Sequence, residues 1–77
     1  MKRIFYRQAN NEYALMYPTQ ELDNGDLTAV ASRNVPSSCP FWIMEAEDIP
    51  ATTEERNIFV NSEEIGEPAG YGSYEII

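Results

Sequence analysis

The chain has 77 residues, of which 43% are hydrophobic and 12% aromatic, and this composition predicts one small globular domain over residues 1–77. Its formal charge of −8 disfavours direct binding to nucleic acid or to anionic lipid. A single cysteine excludes an internal disulfide, and the lack of a long apolar run leads us to expect neither a signal peptide nor a membrane-spanning helix.

The first predicted element is a β-hairpin. Residues 3–7 (RIFYR) and 12–17 (EYALMY) are rich in aromatic and branched side chains, and they flank the polar turn sequence QANN. Pro18 cannot donate to a β-ladder, so the second strand is expected to end before it.

The second predicted element is a short helix that follows a turn at Asn24-Gly25. Asp26 is the expected N-cap, and Pro36 disfavours helical geometry at the residue before it, so the helix should end near Asn34. The residues expected on its apolar face are Leu27, Val30 and Ala31.

The stretch NVPSSCPFWIMEAEDIP (residues 34–50) predicts a third strand, Phe41–Ala46, bounded by prolines. Alternation places Phe41 and Ile43 on one face of this strand, with Trp42 and Met44 on the other. The single tryptophan and the single cysteine both lie in this stretch.

The remaining sequence predicts a helical turn, a fourth strand and a loop. Thr52 and Glu55 have the spacing of a capping box, and NIFVN (residues 57–61) has the β-branched and aromatic composition of a strand. Residues 62–77 are expected to be flexible or to become ordered on a partner, with Tyr74–Ile77 as an edge-pairing candidate.

These elements predict an α+β fold. We expect a small antiparallel sheet of three to four strands, built from the N-terminal hairpin and Phe41–Ala46, with one short helix packed on it.

The sequence lacks the residue combinations that most often indicate catalysis. Without histidine there is no Ser-His or Cys-His pair and no usual catalytic zinc site. Cys39 has no basic neighbour to lower its pKa, and the paired carboxylates are typical of a solvated surface. We therefore predict a non-enzymatic protein with no catalytic residue, metal or cofactor.

Aromatic residues are the main candidates for a protein-binding surface, since tryptophan and tyrosine are favoured interface anchors. In a small domain, however, the same residues often form the core, so both interpretations of Trp42 remain open. The candidate binding residues are Phe41, Trp42, Tyr71 and Tyr74.

Several short motifs resemble those of a group of small uncharacterised proteins encoded by tailed bacteriophages and prophages. Their typical pattern reads VP-x-G-x-P-Y/F, then D-I-P, then P-D-G-Y/V-G. Here Ser38 stands at the usual glycine, Ala69 at the usual aspartate, and TTEERNIFVN replaces an arginine-rich aromatic segment. The best matches are Val35-Pro36, Pro40-Phe41, Asp48-Ile49-Pro50, Pro68 and Gly70-Tyr71-Gly72.

The resemblance implies a phage gene product of the structural or tail-gene region, in the host cytoplasm or the virion, and carries over no catalytic residue. One hypothesis is a virion or assembly accessory (a decoration, collar or tail-fibre-associated subunit) that binds a larger phage structural protein or assembles with itself. The alternative is an acidic inhibitor of a basic host protein that handles nucleic acid or acts in defence, with carboxylates in place of phosphates.

Overall fold

The computed structural model describes residues 1–75, and within them it contains four strands, two α-helices and two short 3₁₀ turns. The strands are β1 (Lys2–Arg7), β2 (Tyr13–Met16), β3 (Pro40–Glu45) and β4 (Gly70–Tyr71). The helices are α1 (Asn24–Asn34) and α2 (Thr53–Val60), and the 3₁₀ turns span Ala46–Asp48 and Glu63–Ile65. Over residues 1–75, neither helix has the length and apolar character needed to cross a bilayer.

The strands form one antiparallel sheet in the order β2-β1-β3-β4. Ile4 pairs with Met16 of β2 on one side and with Ile43 of β3 on the other, so β1 lies inside the sheet. The predicted α+β class, the hairpin and the small antiparallel sheet are confirmed. The third strand covers Pro40–Glu45 rather than Phe41–Ala46, since Ala46 begins a 3₁₀ turn.

Each face of the sheet carries its own apolar core, because neighbouring strand residues point to opposite faces. Ile4 and Phe41 pack with Ala31 and Val35 at the α1 side. On the other face, Phe5 and Trp42 pack with Val60 of α2. The sequence predicted one helix on the sheet, whereas the structure has a helix on each face. The predicted face assignments of Phe41 and Trp42 are confirmed.

The first helix begins earlier than its sequence predicts. Asp23 is the N-cap, and its carboxylate accepts from the Asp26 N–H at 2.9 Å, so the assignment of Asp26 as the cap was wrong. The predicted Asn24-Gly25 turn is the first turn of α1 itself. The predicted end at Asn34 is confirmed.

The predicted fourth strand at NIFVN was wrong, because these residues continue α2 to Val60. The capping box that starts the helix is confirmed: Thr52 Oγ1 accepts from the Glu55 N–H at 3.1 Å and lies 2.9 Å from Glu55 Oε1. Phe59 and Val60 then reach the second core from a helix rather than from a strand. Burial in this core outweighs the strand preference of these residue types.

Candidate protein-binding surface

The four aromatic residues predicted to bind a partner divide into two buried and two exposed side chains. Phe41 is fully buried and Trp42 is 6% exposed, whereas Tyr71 is 61% and Tyr74 51% exposed. Trp42 also donates its indole N–H to the Gly66 carbonyl at 3.1 Å, which satisfies its one polar group inside the fold. Phe41 and Trp42 are therefore core residues and present no surface to a partner. Tyr71 and Tyr74 remain as candidates.

The two exposed tyrosines lie on residues 69–74, here called the tail segment, which is hydrogen-bonded to the rest of the fold. The Ala69 N–H donates to the Phe41 carbonyl at 2.8 Å, and the Gly72 N–H donates to the Cys39 carbonyl at 2.9 Å. Tyr74 forms an isolated parallel bridge with Pro36. Ile76 and Ile77, the end of the predicted edge-pairing stretch, lie outside the described residues.

The loop at residues 35–40 (VPSSCP), here called the proline loop, supplies most of the partners of the tail segment. The Ser37 N–H donates to the Tyr74 carbonyl at 2.8 Å, and the Ser38 N–H donates to the Gly72 carbonyl at 3.1 Å. In return, the Tyr74 N–H donates to the Val35 carbonyl at 3.0 Å. These bonds hold the backbone of Gly72 and Tyr74 against the proline loop.

Two glycines allow the tail segment to approach the fold this closely. A Cβ on Gly70 would lie 2.8 Å from the Phe41 ring, and one on Gly72 would lie 2.2 Å from the Val35 carbonyl oxygen. Neither position has room for a larger residue without movement of its neighbours. Tyr71, placed between them, keeps its backbone against the core while its ring is in solvent. The alternation of glycine and tyrosine in GYG is the sequence signal of this arrangement, and the sequence reasoning did not use it.

Cys39 lies in the first core as a buried free thiol. Tyr6 packs against the same cluster. Burial is the main cause that raises the pKa of the Tyr6 phenol. These surroundings are those of a structural cysteine, since apolar burial leaves a thiol unreactive.

Within residues 1–75, the acidic side chains form no ion pairs with lysine or arginine side chains. In the part of the chain that the structure describes, the one ion pair joins the Met1 amino group to Glu45 at 3.3 Å. Three arginines instead contact backbone carbonyls or aromatic rings. Arg7 donates to the Val60 carbonyl at 3.2 Å and lies over the Trp42 ring. Arg56 donates to the Pro50 carbonyl at 2.7 Å, and Arg3 lies over the Tyr17 ring.

Arg56 also contacts Tyr13 on β2. Its guanidinium donates to the Tyr13 hydroxyl at 3.4 Å, and this hydrogen bond lowers the pKa of the phenol. The contact links the second helix to the edge of the sheet.

Across residues 1–75, no three acidic or cysteine side chains are grouped in a way that could hold a metal ion. No protein-family model, curated protein or solved structure matches the chain. The candidate site is therefore defined by its geometry alone: two exposed tyrosines on a fixed backbone.

Proposed function

We propose that this chain is a small non-enzymatic accessory protein of a tailed phage, which binds a larger structural protein of the virion or its assembly intermediates through Tyr71 and Tyr74. The observation that carries the proposal is the pair of half-exposed tyrosine rings on the hydrogen-bonded tail segment.

The physical argument is preorganisation. Binding costs free energy when flexible groups become ordered, so anchors on a fixed backbone lose less on association. A tyrosine ring adds a large contact area with only two side-chain torsions to restrict, together with a hydroxyl that can hydrogen bond. Tyr71 and Tyr74 combine these properties.

The phage setting rests on the motif resemblance, and the conformation of one residue supports it. Ser38 occupies the position where the phage pattern has glycine, and its φ is +69°. Glycine adopts this left-handed conformation at little cost, whereas other residues seldom do. A glycine preference at this position therefore has a physical reason in the present fold.

The test is mass spectrometry of purified phage particles, with and without changes to the two rings. Wild-type protein should be present in particles, and Tyr71→Ser/Tyr74→Ser should be absent from them while remaining folded by circular dichroism. The control is Tyr17→Ser, since Tyr17 is 62% exposed and lies outside the tail segment. Absence of the wild-type protein from particles, or undiminished incorporation of the double variant, would contradict the proposal.

A second candidate function is inhibition of a basic host protein that handles nucleic acid or acts in defence. The observation that favours it is that, among residues 1–75, no Asp or Glu side chain forms an ion pair with a lysine or arginine. Such carboxylates could occupy a surface that normally binds phosphates. Purified protein should then form a complex with a nucleic-acid-binding host protein, and duplex DNA should displace it. The complex should weaken steeply as salt is added. Binding that neither DNA nor salt affects would count against this function.

A further inference from the structure

A groove of about 290 Å³ lies beside α2. It is open to solvent and is here called the acidic groove. Its lining residues are Pro50, Glu55, Ile58, Phe59, Ser62 and Glu64.

The floor of the acidic groove is apolar. Ile58 is 65% exposed, although it lies on a helix that buries Val60 and packs Phe59 against the second core. Covering the exposed part of Ile58 would be favourable, because removal of apolar area from water is the main driving force of association. The groove volume is at the lower limit for small-molecule pockets. Its size suits one or two side chains of a peptide rather than a cofactor.

The rim of the acidic groove and its surroundings are negatively charged. Glu55 and Glu64 line the groove itself. Seven of the thirteen acidic residues lie within residues 47–67, and all seven are exposed. The single basic residue of that stretch, Arg56, is held by the Pro50 carbonyl and the Tyr13 hydroxyl. The negative charge at the groove is therefore left for an outside partner to balance.

From this combination we propose that the acidic groove binds a basic peptide segment of a partner protein. One apolar side chain of the segment packs on Ile58, and lysines or arginines on either side of it face Glu55 and Glu64. The proposal rests on the second candidate function, for which it names the binding surface. It uses different elements from the tail segment, so both surfaces could be occupied in one complex.

The test uses a short fluorescein-labelled peptide with lysines on both sides of one leucine, and fluorescence anisotropy at low ionic strength. The wild-type chain should bind it, and affinity should fall as salt is added. Ile58→Ser should weaken binding about tenfold, and a peptide with serine in place of leucine should lose a similar factor. Since Ile58 is mostly exposed, this variant is expected to stay folded, which circular dichroism checks.

A matched pair of charge variants separates a specific site from general attraction. Glu55→Gln/Glu64→Gln and Glu47→Gln/Asp48→Asn remove the same charge, but only the first pair lines the groove. Glutamine at position 55 also preserves the capping box. The groove pair should weaken binding clearly more than the outside pair.

Three results would overturn the proposal: no binding of the peptide, equal losses for the two charge pairs, or wild-type affinity for Ile58→Ser. A second copy of the chain in the groove would appear as a dimer by analytical ultracentrifugation that Ile58→Ser abolishes, and this would also overturn it. Peptide binding together with failure to bind any host protein would remove the inhibitor function and leave the groove in place. Host binding that Ile58→Ser does not change would leave the inhibitor function in place and remove the acidic groove as its binding surface.

Discussion

Gly70 and Gly72 determine how Tyr71 is presented to solvent. Both positions lie so close to other parts of the chain that a Cβ would collide with them, at the Phe41 ring in one case and at the Val35 carbonyl in the other. At these two glycines the tail segment packs through its backbone, and the Ser73 hydroxyl adds a hydrogen bond to the Ser32 carbonyl at 2.7 Å. This is why an exposed ring can stand on a firmly held segment.

Gly72→Ala is expected to destabilise the protein by about 2–3 kcal/mol, as overpacking of a tight site does. The new Cβ would lie 2.2 Å from the Val35 carbonyl oxygen and 2.4 Å from that of Pro36, and both belong to backbone that cannot easily yield. Urea denaturation followed by tryptophan fluorescence measures the change.

Gly25→Ala is the matched control. A Cβ at Gly25 would meet only Asp23 Oδ1, at 3.5 Å, and the residue lies inside α1. Alanine there should leave the free energy of unfolding unchanged or raise it by about 0.5–1 kcal/mol. Equal stability of the two variants would show that the tail segment is not packed as described.

At the residue scale the sequence predicts side-chain faces well and exposure poorly. Strand alternation correctly separated Phe41 from Trp42, because it depends only on backbone geometry. It could not tell whether Trp42 meets the core or a partner. That depends on α2, and the sequence predicts a strand over residues 57–61, where the structure continues this helix to Val60.

The second helix shows how local signals compete. The Thr52–Glu55 capping box correctly predicts a helix start, and the composition of NIFV incorrectly predicts a strand. The helix prevails because its geometry brings Phe59 and Val60 to the second core together. This stabilisation comes from tertiary packing, so it cannot be predicted from the eight residues of α2 alone.

Helix α2 also protects an edge of the sheet. Tyr13 on the edge strand β2 donates its N–H to Asn57 Oδ1 at 2.8 Å, and Asn61 donates its side-chain N–H to the Asn11 carbonyl at 2.7 Å. Unpaired backbone groups at a sheet edge can pair with other chains. Asn57 occupies one such group, the Tyr13 N–H, whereas Asn61, the C-cap of α2, holds the turn that precedes β2.

Asn57→Ala should cost about 1 kcal/mol of stability, the usual net value of one hydrogen bond. The Tyr13 amide hydrogen should also exchange faster with solvent, which NMR hydrogen exchange measures. Asn57→Asp keeps an acceptor oxygen and should preserve the protection. Equal exchange at Tyr13 in wild type and Asn57→Ala would show that this bond does not protect the edge.

Charge is the dominant property of the molecule as a whole. A formal charge of −8 is spread over 77 residues, and the one ion pair in residues 1–75 involves the chain's amino group. Like charges therefore repel in the folded state with little internal compensation.

Added salt should raise thermal stability. Between about 0.01 and 0.5 M sodium chloride the screening length falls severalfold, which weakens the repulsion between carboxylates. We expect Tm to rise by several degrees, as measured by circular dichroism. Glu63→Gln/Glu64→Gln, which removes two exposed charges, should show a smaller rise. A Tm that falls with salt would mean that attractive pairs outweigh the repulsion.

The sheet order and the two-sided core could not be predicted from the sequence. Each strand signal is local, whereas the order β2-β1-β3-β4 depends on which strands meet after the chain folds. The last strand has two residues, too few for a periodic pattern. The attachment of the tail segment to the proline loop likewise joins residues that are distant in sequence.

The two cores have a consequence for insertions and deletions. Ile4 and Phe5, like Phe41 and Trp42, are adjacent residues that serve opposite faces of one sheet. Loss or gain of a single residue within β1 or β3 would exchange the two sets and leave each helix facing side chains shaped for the other. Changes of length should therefore be excluded from the two inner strands, whose register decides which side chains face each helix.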